Sequence, residues 1–199
     1  MAETLDFYFD FTSPYGYIAS QVIDEIAAKH GAETRWHAFL VTSAYKQYNS
    51  TNPLAHPAKE KYFRHDLPRT AAHFGVKFKF PPTWPENLVA AGRAFSWIED
   101  RDPAAAKRFA NAALRAYWAE GKPLADADVV AEIGAALGEG HAMLRAALDD
   151  SAVKQRFIEK GKEALAKGIF GSPQILYRGE LFWGTDRLDQ LQAAMTKAR

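Results

Sequence analysis

Two serine–proline pairs stand almost a full chain length apart, each where a hydroxyl or a backbone group could do chemistry. Ser13-Pro14 follows the aromatic run Phe7-Tyr8-Phe9-Asp10-Phe11 and opens a helical pattern. Serine at an N-cap with proline at the first helical position is a favoured helix start. The free N–H groups and the dipole at such an end favour negative charge. A hydroxyl there can donate to a bound thiolate and lower its pKa, as such sites acidify a cysteine. Taken alone, the serine is better explained as a plain helix cap. Ser172-Pro173 precedes a strand-like segment near the other end. A cis bond there would form a tight bend that turns the Ser172 N–H and C=O toward an extended ligand. An ordinary loop proline is the plainer alternative. The chain has no cysteine, so a thiol would have to come from a small molecule, and glutathione is the natural candidate.

The elements that must position these pairs follow from the pattern around them. Leu5 to Phe11 carries aromatics on both faces, as a central buried strand does. From Pro14, a stripe of Ile18, Val22, Ile23 and Ile26 predicts a helix, and Gly31 stands at its C-cap. Thr34 to Leu40 predicts a second strand, parallel to the first because the crossover is right-handed. Val41 to Pro57 turns polar and reads as a loop. About five helices follow up to Gly168, with breaks at Phe80-Pro81-Pro82, Asp102-Pro103, Gly121-Lys122-Pro123 and Gly138-Glu139-Gly140, and with Asp126 or Ser151 as caps. After Gly168, Gln174–Tyr177 and Leu181–Trp183 flank Arg178-Gly179-Glu180 as a hairpin. Asp186 then caps a last helix with Leu188, Leu191 and Met195 on one face. The layout is an α/β fold, βαβ, a large all-helical insertion, then ββα. It divides into a discontinuous unit of residues 1–45 and 168–199 and an inserted helical unit of residues 46–167.

Composition excludes several function classes. Lysine and arginine number 25 against 24 acidic residues, mixed along the chain, so no basic face is set aside for nucleic acid or a membrane surface. Without cysteine there is no disulfide, thiolate metal site or redox thiol, and a disulfide oxidase is ruled out. The six histidines show no metal-ligand spacing with carboxylate support, so no metal is expected. Gly138-Glu139-Gly140 lacks the third glycine and preceding strand of a dinucleotide site, and no nucleophile elbow is present. The opening Met1-Ala2-Glu3-Thr4-Leu5-Asp6 lacks the charge and apolar run of a secretory leader. A cytoplasmic protein is expected.

Taken together, the motifs resemble those of the 2-hydroxychromene-2-carboxylate isomerases, relatives of the kappa-class glutathione transferases within the DsbA-like thioredoxin superfamily. The matching segments are Phe7 to Phe11 with Ser13-Pro14-Tyr15, Lys46, Pro57-Ala58-Lys59 with Tyr62 and Asp66-Leu67, Phe80-Pro81, Gly168-Ile169-Phe170-Gly171 with Pro173, and Phe182-Trp183-Gly184 with Asp186-Arg187-Leu188. The resemblance implies a thioredoxin-like fold, glutathione as cofactor, a small aromatic acid as substrate, cis–trans isomerisation, and a homodimer. It implies that Ser13 is the catalytic group that favours the glutathione thiolate. The Ser172 backbone would pair with the cysteinyl unit, Thr185 and Asp186 would receive the γ-glutamyl end, and Pro173, Trp183 and Gly184 would also bind the cofactor. Lys59 would meet the glycyl carboxylate. Lys46, Asn52 and Trp84 would contact the aromatic acid. Each has a plainer alternative: surface charge for Lys46 and Lys59, a turn for Asn52, core for Trp84, capping for Asp186. Ser172, Gln174 and Thr12 depart from the family pattern. A kappa-like transferase or peroxidase and a non-catalytic binding module are the competing readings.

Overall fold

In the computed structural model, which describes residues 3–197, β1 (Glu3–Phe9) lies inside a four-stranded mixed sheet of order β2-β1-β3-β4. Met1, Ala2, Ala198 and Arg199 fall outside the described residues, and with Met1 and Ala2 goes the start of the leader reading. β1 runs parallel to β2 (Ala32–Ala38) and antiparallel to β3 (Gln174–Tyr177), which pairs in turn with β4 (Glu180–Trp183). Leu5, Phe7 and Phe9 are fully buried, each worth about 2 kcal/mol of apolar transfer as an upper estimate. The Phe7 and Phe9 rings meet Trp36 of β2 edge-on at 5.1 and 5.5 Å. The β3–β4 turn places Arg178 and Gly179 at φ of 50° and 84°, the left-handed pair that matches strand twist.

The helix after β1 is two helices, α1 (Pro14–Ser20) and α2 (Ile23–Lys29). The single helix read from the sequence breaks at Gln21 and Val22, whose N–H groups reach back only three residues, to Ile18 and Ala19. Gly31 does stand just beyond α2, at φ 68°.

The expected loop after β2 instead begins with a helix, α3 (Val41–Gln47). Its cap is non-local: Val41 N–H donates to Asp10 Oδ2 at 2.7 Å. Six helices rather than about five follow among the described residues: α4 (Pro57–His73), α5 (Val89–Glu99), α6 (Pro103–Trp118), α7 (Ala127–Ala135), α8 (His141–Asp149) and α9 (Ser151–Ala166). Asp126 caps α7 as expected, whereas the cap of α9 is Asp150, not Ser151. α5 and α6 close over the sheet, with Phe95 edge-on to Phe9 at 5.5 Å and Trp118 Nε1 donating to the Phe11 carbonyl at 3.0 Å. The final helix, α10 (Leu188–Lys197), buries Leu188, Leu191 and Met195. Asp186 does not cap it; it lies within a 3-10 turn, Thr185–Arg187, and pairs with Arg187. No helix among the described residues is long and apolar enough to cross a membrane.

Candidate active site

Both chain ends converge where β1 gives way to α1. Ser13 is the N-cap of α1: its Oγ accepts the Gly16 N–H at 3.0 Å, and its O–H donates to the Ser172 carbonyl at 2.8 Å. The Ser172–Pro173 peptide is cis. A Cβ on Gly16 would sit 2.7 Å from Ser172 Oγ, so this close approach of helix and bend depends on glycine. Ser172 N–H has no hydrogen-bond partner among the described residues. Gly184 N–H donates to the Pro173 carbonyl at 3.0 Å, which fastens the Thr185–Arg187 turn beside the bend, and that turn lies against α1. Ser13, Ser172, Pro173, Gly184 and Thr185 are thus brought together. Trp183 is 57% exposed and packs its ring edge-on to Phe170 at 5.1 Å.

One residue that sequence reasoning passed over ties these pieces together. Asp10 is 3% exposed. Its N–H donates to Ser172 Oγ at 2.9 Å, and its carbonyl accepts the Ser13 N–H at 3.0 Å. Its carboxylate takes the N–H and the hydroxyl of Thr12, both at 2.8 Å, and the Val41 N–H. Burial pushes the Asp10 carboxyl above its ordinary range, against the downward pull of the Thr12 and Val41 hydrogen bonds. The available signal was a lone carboxylate ending an aromatic strand, since a buried charge must find donors. The Ser172 hydroxyl has the same explanation: it satisfies the buried Asp10 N–H.

Asp186 lies in the same turn as Thr185, whereas Lys46, Lys59, Asn52 and Trp84 stand elsewhere and share no hydrogen bond with Ser13 or Ser172. Lys46 lies near the end of α3 and Lys59 in the first turn of α4; both are exposed, without an ion pair among the described residues. Asn52 is occupied in a turn, its Oδ1 accepting the Leu54 N–H at 3.0 Å. Trp84 packs between Phe80 and Trp118, at 5.6 and 6.0 Å, and its buried Nε1 has no partner among the described residues. α4 is linked to α1 by the Tyr15 hydroxyl, which donates to Asp66 Oδ2 at 2.5 Å. Two cavities, of about 580 Å³ beside Glu86 and Arg93 and about 480 Å³ along the outer edge of β2, contain neither Ser13 nor Ser172. The described residues hold no cluster of three or more potential metal ligands.

Chemically, this arrangement offers an anion a helix N-terminus, a hydroxyl and an unpaired amide N–H. Rotation about the Ser13 Cβ–Oγ bond redirects the proton now held by the Ser172 carbonyl.

Comparison with known proteins gives a coherent neighbourhood. A model of the DSBA-like thioredoxin domain matches residues 4–196. A 2-hydroxychromene-2-carboxylate isomerase of Pseudomonas putida is 29% identical over 193 residues, spanning 96% of this chain and 93% of the relative. Glutathione S-transferase kappa 2 of Caenorhabditis elegans is 25% identical, spanning 95% of this chain and 90% of its own length. The solved structure of a 2-hydroxychromene-2-carboxylate isomerase superposes with a TM-score of 0.87 at 26% identity, over 98% of this chain and 95% of that one.

Proposed function

Because the chain belongs to the DSBA-like thioredoxin domain family and has no cysteine, we propose that it is a glutathione-dependent cis–trans isomerase of aromatic acids resembling 2-hydroxychromene-2-carboxylate. The observation that carries this reading is the Ser13 hydroxyl, set at the α1 N-terminus and 2.8 Å from the Ser172 carbonyl. The residues present fit a cysteinyl thiol. Ser13 would turn its O–H from that carbonyl to the sulfur, and the freed Ser172 carbonyl and unpaired N–H would take the ligand's backbone. Reversible addition of its thiolate to a conjugated double bond is the chemistry glutathione supplies when bound. Ser13 stabilises the charge on sulfur, a role worth a few kcal/mol, on the order of a hundredfold in rate or more. Thr185 and Asp186 would hold the γ-glutamyl end with Trp183 and Gly184 beside them at the cofactor, Lys59 the glycyl carboxylate, and Lys46, Asn52 and Trp84 the aromatic acid. The names of the relatives support the isomerase and the thiol.

A kappa-like transferase is the second reading, favoured by the kappa relative. Turnover distinguishes the two, because a transferase consumes free thiol and an isomerase returns it. Replacing Ser13 by alanine at saturating glutathione should lower turnover by about two orders of magnitude; unchanged turnover removes Ser13 from the mechanism. With the same reading go a homodimer, a cytoplasmic setting, and a division into residues 46–167 and the remainder.

A further inference from the structure

Helix α4 carries a proline in its interior, Pro68. Proline supplies no N–H to the helical ladder and crowds the preceding turn, so helices weaken or bend there. The Asp66 carboxylate spans this weak point. On the N-terminal side it accepts the Tyr62 hydroxyl at 2.9 Å. On the C-terminal side it accepts Thr70 Oγ1 at 3.2 Å and pairs with Arg69. Its remaining close partner comes from another helix: Tyr15, two residues beyond Ser13, donates at 2.5 Å. The Asp66 side chain is 14% exposed, and its carboxyl lies below its ordinary value because these hydrogen bonds outweigh the opposing effect of burial.

Lys59 shares a face of α4 with Asp66. Seven residues are almost two full turns, so the two side chains project in nearly the same direction, about 10 Å apart along the axis. Whatever fixes Asp66 against α1 therefore fixes how far Lys59 stands from Ser13. We propose that Tyr15 is a positioning residue: through Asp66 it sets the distance between the thiol-binding end of α1 and the Lys59 end of α4, and so selects thiols that carry a carboxylate at the matching reach. This rests on the reading of Ser13 and Lys59 given above and names what that reading leaves open, the element that makes the site measure its ligand. The ring of Tyr15 also packs edge-on to Phe63 at 5.8 Å. A phenylalanine at 15 keeps that packing and removes only the hydrogen bond.

The test is calorimetric binding of glutathione and of γ-glutamylcysteine, which lacks the glycyl carboxylate, to the whole chain. The unaltered protein should prefer glutathione by about tenfold, the size of one charge-assisted hydrogen bond. Tyr15→Phe should reduce that preference to about threefold or less, leaving γ-glutamylcysteine within about twofold of its original affinity. Asp66→Asn should act in the same direction and serves if the first variant folds poorly. Once Lys59→Ala has abolished the preference, adding Tyr15→Phe should change it no further, because both act on one contact. A preference that survives Tyr15→Phe and Asp66→Asn overturns the inference while leaving the proposed function standing. An equal loss of both ligands also overturns it, as the mark of a general structural role. Equal affinities in the unaltered protein sink the Lys59 contact and this inference together, and absence of binding to either thiol sinks the proposed function itself.

Discussion

Asp10 ties Ser172 to the Ser13 end of β1 and Asp66 ties α4 to α1, and their surroundings differ sharply. Asp10 is sealed beneath Ser13 and Ser172 and takes donors from Thr12 and from α3. Asp66, half-buried on α4, gathers Tyr15, Tyr62, Arg69 and Thr70. Burial raises the first carboxyl, whereas hydrogen bonding prevails over burial and lowers the second. The inner half is therefore built like core, with the Asp10 and Ser172 side chains committed before a ligand arrives and the Ser172 N–H left open among the described residues. The outer half leaves Lys46 and Lys59 exposed and without an ion pair among the described residues. Under the proposed function, the thiol would sit in the first, and the choice among thiols and acids would be made in the second.

That contrast can be broken most severely at Asp10. Asp10→Ala strands the Thr12 N–H, the Thr12 hydroxyl and the Val41 N–H, and should cost about 4 kcal/mol in urea unfolding, with loss of α3 helicity. A cost below about 1 kcal/mol would mean that the inner half is not fixed by this carboxylate. Ser172→Ala should cost about 2 kcal/mol, because the Asp10 N–H is then buried without a partner. Asp66→Asn should cost about 1 kcal/mol or less by the same measurement, since its partners reach solvent, while still changing ligand preference.

The smallest effect concerns pH. Asp10, raised above 3.8 in the fold, keeps its proton longer in the native state, so its contribution to stability falls as pH rises from 3.8 through the folded value. Asp66, lowered below 3.8, contributes stability that is full above 3.8 and is lost as pH falls through its folded value. Unfolding of Asp10→Asn and Asp66→Asn, each referred to the unaltered protein from about pH 3 to pH 7, should show opposite slopes. Slopes of the same sign would contradict the assigned environments.

How far the sequence revealed this depends on the range of each interaction. The strands, the Ser13-Pro14 helix start, the hairpin and the Asp126 cap are written in neighbouring residues, and all are found in the structure. α3 was missed because its cap comes from Asp10, 31 residues earlier. The break at Gln21 was missed because Val22 continues the apolar stripe, and Gln21 bonds Asn111 across the fold at 2.9 Å. Of the candidate site, Ser13 and Ser172 were legible as a pair, but the residues that bring them together were not. Tyr15 and Asp66 stood within recognised motifs, yet their bond spans 51 positions and leaves no periodic trace.

The most direct measurement is the ultraviolet absorbance of the glutathione thiolate as a function of pH, with glutathione bound to the unaltered protein and to Ser13→Ala. The bound thiol should ionise well below the free thiol in the first and return toward it in the second. Ionisation at the free value in the unaltered protein, or the same depressed value in both, would contradict the role given to the α1 hydroxyl.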